Sequence, residues 1–174
     1  MIICITGPTG VGKTDASWAL IELGSPMVLL DCDWFAARVP FSWQSASDVE
    51  SVYQAISVML SYHIGRGVTR FAVPLTLEMA LSFERNQHHF AQFRRPLFLL
   101  QLRCDEEILR QRILQRDRLP SQKAAELEVI HTQQGQCAGL PVEFLAVDTS
   151  HLDEQATARK IWSIVCNTET EYAA

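Results

Sequence analysis

The chain has 174 residues, of which 48% are hydrophobic and 20% charged, and its net charge is -5. This balance predicts one globular domain with a sizeable core and excludes a disordered chain, while the acidic charge argues against a nucleic-acid partner. Five widely spaced cysteines without a C-x-x-C pair argue against a disulfide framework or a zinc site. With no signal-peptide pattern and no long apolar run, we expect a cytoplasmic protein without a membrane partner.

The chain begins with a predicted strand–helix–strand unit. The apolar run Ile2–Ile5 leads into a glycine and is typical of a buried strand. A helix is predicted from about Lys13 to Leu23, with Gly24 well placed to end it. The run Met27–Leu30 predicts a second buried strand, which stops at Asp31. This order indicates an α/β fold.

A long helix is predicted next. Ser47 and Glu50 are three residues apart, the spacing of a reciprocal cap at a helix start, and apolar residues then recur at helical spacing to about Ile64. The later predicted elements are strand 71–73, helix 76–86, strand 97–102, helix 105–118, a break at 119–121, helix 122–132, strand 144–147 and helix 153–165.

Five apolar strands that alternate with helices predict a three-layer α/β/α fold with a five-stranded parallel sheet. We expect residues 1–167 to form a single domain. The polar segment 168–174 is predicted to be a frayed tail.

The strongest motif lies between the first strand and the first helix. It reads Gly7-Pro8-Thr9-Gly10-Val11-Gly12-Lys13-Thr14 and matches the phosphate-binding P-loop pattern G-x-x-x-x-G-K-[ST]. Backbone N–H groups of such a loop, together with the helix N-terminus, converge on an anion. We predict that the loop binds ATP, with Lys13 at the β- and γ-phosphates and Thr14 on Mg²⁺. The alternative is a glycine turn with an incidental lysine.

Other motifs limit the class of P-loop protein. A GTPase would normally contain an Asn-Lys-x-Asp segment, and the chain has no Asn-Lys pair. Motor ATPases usually end a distant strand in an acidic pair, but strand 97–102 is followed by Arg103 and Cys104. We interpret the acids at 105–107 as charges that open the next helix.

Two carboxylates follow the second strand, at the edge where α/β sheets bind ligands. If the extended backbone continues, Asp31 and Asp33 point the same way. One could then bind Mg²⁺ while the other accepts a proton from a substrate hydroxyl. A solvated turn is the alternative interpretation.

On these motifs the chain resembles the small-metabolite branch of the P-loop kinases, which includes shikimate kinase, gluconate kinase and chloramphenicol phosphotransferase. The resemblance covers most of the chain and implies sheet order 2-3-1-4-5, a small-molecule acceptor and transfer of phosphate from ATP to a hydroxyl. It also implies that Asp31 lies at the metal and that Asp33 is the base at the substrate. We expect a monomer or a homodimer.

The resemblance further implies a mobile helical lid, at about 110–135, whose arginines close over ATP. We assign Arg112, Arg116 and Arg118 to ATP, with Arg116 also catalytic, because guanidinium groups pair well with phosphate oxygens. Arg110 is expected to pair with a helical acid instead. The alternative is that all of these arginines pair with Glu106 and Glu107 on a solvated face.

The resemblance places the adenine beside the turn after the fifth strand, so Thr149 is predicted to contact it, although this turn could simply cap the last helix. Arg38 is the candidate for an acceptor carboxylate or phosphate, among aromatic residues that could instead be core. After the third strand the chain reads Val73-Pro74-Leu75-Thr76, where many relatives carry a glycine-rich or charged substrate-binding segment. The resemblance therefore leaves the acceptor unidentified.

Two rival functions remain at this stage. One is a non-catalytic or regulatory ATP-binding module, which would keep the loop but lack an acceptor site. The other is a nucleoside monophosphate kinase, which ranks lower because only Arg38, Arg66 and Arg70 are available for an acceptor phosphate.

Overall fold

The computed structural model describes residues 1–23 and 26–172, with side chains up to residue 167. Within this part of the chain, five parallel strands form one sheet in the order β2-β3-β1-β4-β5. The strands are β1 Ile2–Thr6, β2 Val28–Leu29, β3 Phe71–Pro74, β4 Leu97–Arg103 and β5 Leu145–Asp148. The predicted fold class and strand order are confirmed.

Helices cover both faces of this sheet. Their bounds are α1 Lys13–Glu22, α2 Cys32–Ala36, α3 Ala46–Gly65, α4 Leu77–Leu81, α5 Phe83–Asn86, α6 His88–Ala91, α7 Glu106–Gln115, α8 Pro120–Ala138 and α9 Glu154–Tyr172. Among the described residues, none of these helices is both long enough and apolar enough to cross a membrane.

The central strand shows why the sheet is fully buried. Ile3 and Ile5 pack into a core cluster with α1, α7 and α9, whereas Ile2 and Cys4 pack into a second cluster with α3 and the short helices α4–α6. Alternate residues of one strand therefore feed both layers, as expected for a parallel sheet between helices.

Some predicted boundaries were wrong. The cap of α3 is Ser45, whose Oγ accepts from the Asp48 N–H, and not Ser47. The helix predicted at 76–86 is divided into α4 and α5, and α6 follows. In this segment, side chains compete with backbone N–H groups for the carbonyls. Ser82 Oγ donates to the Met79 carbonyl, and Asn86 Nδ2 donates to the Ser82 carbonyl.

The lid region also differs from its predicted outline. Helix α7 ends at Gln115, three residues before the predicted end, and Pro120 begins α8 where a break was predicted. Proline fits the first helical position because that residue needs no backbone N–H. Helix α9 continues to Tyr172, whereas Gly24 and residues 173–174 of the predicted tail lie outside the described residues.

Candidate functional site

The phosphate-binding motif forms a turn between β1 and α1. Gly7, Gly10 and Gly12 have positive φ angles of 146°, 78° and 94°. Gly12 caps α1 without any side-chain hydrogen bond, and a Cβ added to it would meet nothing within 4 Å. The space beside Gly12, at the start of α1, is therefore open, and an anion site at a helix N-terminus needs such space.

Two side chains bind this loop. Lys13 Nζ donates to the Gly7 carbonyl at 2.8 Å and to the Pro8 carbonyl at 3.1 Å. The Thr9 N–H donates to Gln133 Oε1 at 2.8 Å, which ties the loop to α8. Sequence reasoning missed Gln133, because its partner is 124 residues away in the chain.

We predict that Gly7→Ala destabilises the protein by roughly 2–4 kcal/mol, since the new Cβ would lie 2.6 Å from the Leu102 carbonyl oxygen at a positive φ. The matched control is Gly135→Ala within α8, where a Cβ meets nothing within 4 Å. That variant should gain about 0.5–1 kcal/mol from helix propensity. Urea denaturation of both variants measures the difference, and equal midpoints would contradict the strain.

The two carboxylates after β2 lie beside the loop, but not through continued extension. The strand ends at Leu29, and Asp31 caps the short helix α2, with its Oδ1 accepting from the Asp33 N–H at 3.1 Å. The extended backbone that would have pointed Asp31 and Asp33 the same way therefore does not continue. The groups nevertheless converge, because Thr14 Oγ1 donates to Asp31 Oδ2 at 3.0 Å.

Electrostatics couple Asp33 to this cluster. The pKa of Asp33 is raised above its ordinary value, first by desolvation and then by the neighbouring Asp31 carboxylate, while Lys13 and Arg118 oppose the rise. A raised pKa makes the carboxylate a better proton acceptor. Burial lowers the pKa of Lys13, and the nearby Arg116 guanidinium lowers it further.

The same cluster has the donor chemistry for Mg²⁺. Ligand atoms of Asp31, Cys32 and Asp33 all lie within 4.8 Å of one another. Burial raises the pKa of the Cys32 thiol, which therefore stays neutral and is a poor ligand. The Thr14 hydroxyl and the Asp31 carboxylate supply the oxygen ligands that Mg²⁺ prefers, and the residues present fit this ion.

The arginines at 110–118 fall into two groups. Arg110 pairs with Glu106 at 2.7 Å, as predicted. Arg116 pairs with Glu126 of α8 at 3.2 Å, and Arg118 pairs with the same carboxylate. Arg116 lies close enough to Lys13 to lower its pKa, and Arg118 lies close enough to Asp33 to lower the pKa of that carboxyl.

Arg112 braces the turn after β5. Its Nη2 donates to the carbonyls of Thr149 at 2.7 Å and Leu152 at 3.0 Å. Thr149 itself is buried, and its hydroxyl donates to the Arg103 carbonyl. The contacts of Arg112, Arg116, Arg118 and Thr149 with a nucleotide stay predictions.

A cavity of about 320 Å³ adjoins the loop. It is lined by Gly10, Val11, Gly12, Asp15, Arg112, Gln115, Arg116, Leu152, Asp153, Glu154 and Thr157. It extends from the start of α1 and lies between the end of α7 and the start of α9. A ligand whose anionic group lies on the loop could therefore extend into this cavity.

The arginines considered for an acceptor phosphate have other partners. Arg38 Nη2 donates to Asp48 at 2.8 Å and to Ser51 at 2.8 Å, which braces the start of α3. The guanidinium groups of Arg66 and Arg70 lie over the rings of Tyr62 and Trp162. These contacts weigh against a phosphate as the acceptor, while the substrate contact predicted for Arg38 stays a prediction.

Glu78 is a residue whose position sequence reasoning did not distinguish from solvated helical acids. It lies in the first turn of α4, directly after β3, is half-buried and raises the pKa of Asp33. It therefore acts on the same cluster as the loop and α2, at the place where the chain departs from the resembled kinases.

No protein-family model and no curated protein sequence matches the chain. Among solved structures it is similar to the tunicamycin resistance protein of Deinococcus radiodurans, at 16% identity, with 94% of each chain covered and a TM-score of 0.66. It is also similar to a gluconokinase from Sinorhizobium meliloti, at 19% identity over 98% of this chain and 94% of that one, with a TM-score of 0.64.

A shikimate kinase from Acinetobacter baumannii, solved with shikimate, is 21% identical over 96% of this chain and 93% of that one, with a TM-score of 0.52. At these identities the likeness concerns the fold. Each match covers at least 93% of both chains, so this chain, with its five parallel strands in the order β2-β3-β1-β4-β5, shares its fold with solved gluconate and shikimate kinases.

Proposed function

We propose that the protein is an ATP-dependent phosphotransferase that acts on a hydroxyl of a small molecule. The observation that carries this proposal is the convergence of the loop and the carboxylates. Thr14 bonds to Asp31 at 3.0 Å, and the charges of Lys13 and Asp31 both act on Asp33. A phosphate-binding loop, a candidate base and oxygen ligands for a cation thus meet at one edge of the sheet.

In this proposal, the loop amides and Lys13 hold the β- and γ-phosphates, and the cavity bounded by Arg112 holds the rest of the nucleotide. Thr14 and Asp31 would hold Mg²⁺, which supplies charge neutralisation on the phosphates. Asp33 accepts the proton of the acceptor hydroxyl while the hydroxyl oxygen attacks the γ-phosphorus. The bond from the γ-phosphorus to the bridging oxygen then breaks, and ADP leaves.

We further propose that residues 110–135 act as a lid. Arg116 and Arg118 now share the Glu126 carboxylate, and they would exchange it for phosphate oxygens when a nucleotide is bound. Closure would also exclude water, which would otherwise accept the phosphoryl group.

The test is release of ADP from MgATP by the purified protein, with and without a panel of hydroxylated sugars, polyols and nucleosides. A kinase should release ADP at least about ten times faster with its acceptor, and mass spectrometry should show one added phosphoryl group on that compound. Tight ATP binding that no panel member converts into ADP release would favour the rival, non-catalytic nucleotide-binding module.

A further inference from the structure

A second cavity, of about 270 Å³, lies between the start of α3 and the short helices α4 and α5. The residues that matter in its lining are Trp43, Glu50, Glu78, Ser82, Arg85 and Asn86. It shares no lining residue with the cavity at the loop. Its volume is near the lower end of ligand pockets, roughly 300 Å³, which suits a molecule of monosaccharide size.

The charge of this cavity is predominantly negative. The lining carries the two carboxylates of Glu50 and Glu78, the single guanidinium of Arg85 and the imidazole of His88. Asp33 does not line the cavity, but it lies close enough to Glu78 for the Glu78 charge to raise its pKa. Arg38, the cation that sequence reasoning offered to an anionic acceptor, is held by Asp48 outside this lining. A carboxylate or phosphate would be repelled here, and an ammonium group attracted.

The walls are polar and aromatic. Ser82 and Asn86 are each 8% exposed, and the Asn86 side chain is oriented by its bond to the Ser82 carbonyl. The Trp43 ring packs edge-on against Phe41, with centroids 4.8 Å apart. An indole wall favours both a cation and the flat face of a sugar ring, while the amide and hydroxyl can bond to hydroxyl groups.

We propose that this cavity receives the phosphoryl acceptor, and that the acceptor is an amine-bearing polyhydroxylated molecule of about monosaccharide size, whose ammonium group pairs with Glu78. This inference rests on the proposed function, because it takes Asp33, which interacts with Glu78 of the lining, as the base. It deepens that function by naming the class of acceptor.

The test compares three probes of similar size and different charge: D-glucosamine, D-glucose and D-glucuronate. Binding is followed by tryptophan fluorescence without ATP, and Trp43→Phe identifies the part of the signal that comes from the cavity. Glucosamine should bind up to about fivefold more tightly than glucose, and glucuronate most weakly, as one ion pair of up to about 1 kcal/mol implies.

Glu78→Gln should remove most of the preference for glucosamine over glucose. Glu84→Gln, an exposed neighbour outside the lining, is the matched control and should keep the preference. Equal binding of the three probes, stronger binding of glucuronate, binding of none of them, or an unchanged preference in Glu78→Gln overturns the assignment.

The two proposals fail in different ways. If glucosamine binds with the expected preference but no compound of the panel stimulates ADP release, the phosphotransferase proposal fails together with the acceptor role, and only the charge selectivity of the cavity stands. If an acidic or neutral acceptor stimulates ADP release instead, the amine assignment fails and the phosphotransferase stands.

Discussion

Replacing Lys13 with alanine is expected to weaken MgATP binding by roughly 10²- to 10³-fold. Hydrogen bonds to charged groups contribute about 1.5–3 kcal/mol each, and the ammonium group can make two of them to phosphate oxygens. Part of this gain is offset, because Lys13 Nζ must first leave the Gly7 and Pro8 carbonyls at 2.8 and 3.1 Å. A net loss of about 3–4 kcal/mol corresponds to the stated range.

Displacement of a fluorescent ATP analogue measures this affinity. The matched control is Lys160→Ala, a lysine of α9 whose Nζ donates to the Asp148 carbonyl at 3.2 Å and which does not line the loop cavity. The control should bind ATP within about threefold of the wild type. If Lys13→Ala binds equally well, with an unchanged urea midpoint, the loop is an incidental glycine turn and every functional proposal above is withdrawn.

The sheet and the loop were predictable because both are encoded locally. A fully apolar strand such as Ile2–Ile5 exposes apolar side chains on both faces, so it must lie between two layers of helices. In the structure this run is fully buried. The loop has positive φ at Gly7, Gly10 and Gly12. Glycine adopts such angles without steric cost, so the three glycines in the sequence already indicate this conformation. The resemblance added the strand order, which local patterns alone do not fix.

The direction of the chain after β2 was not predictable in the same way. An aspartate two residues after a strand can continue an extended backbone or cap a helix, and both uses are common. In the structure Asp31 caps the helix, because its carboxylate accepts a hydrogen bond from the Asp33 N–H. Asp31 contacts Thr14 of the loop while it caps α2, and the roles assigned to Asp31 and Asp33 stay predictions.

Contacts between distant elements account for the remaining misses. Glu126 lies eight and ten residues beyond the two arginines it binds, across the turn between α7 and α8, so helical spacing could not pair them. Glu78 has the spacing of any solvated acid, and only the fold brings the start of α4 close to α2, where Thr76 contacts Cys32 and Glu78 raises the pKa of Asp33. Such roles become visible only once the tertiary structure is known.

Replacing Asp33 with asparagine is expected to lower kcat for acceptor phosphorylation by roughly 10²- to 10⁴-fold, the usual contribution of a general base. ATP affinity should stay within about threefold of the wild type, because the substitution preserves the backbone bond to Asp31 and leaves Lys13 and Thr14 in place. The measurement is single-turnover transfer to the acceptor found by ADP release, alongside ATP binding to the same variant.

Asp105→Asn is the matched control, since Asp105 follows β4 at the same edge of the sheet and its side chain makes no capping bond. It should transfer phosphate at the wild-type rate. Asparagine at position 33 can still accept a hydrogen bond from the acceptor hydroxyl but cannot take its proton at neutral pH. A large loss of kcat with unchanged acceptor KM therefore indicates proton transfer, a rise in KM alone indicates a positioning role, and unchanged turnover eliminates Asp33 as the base.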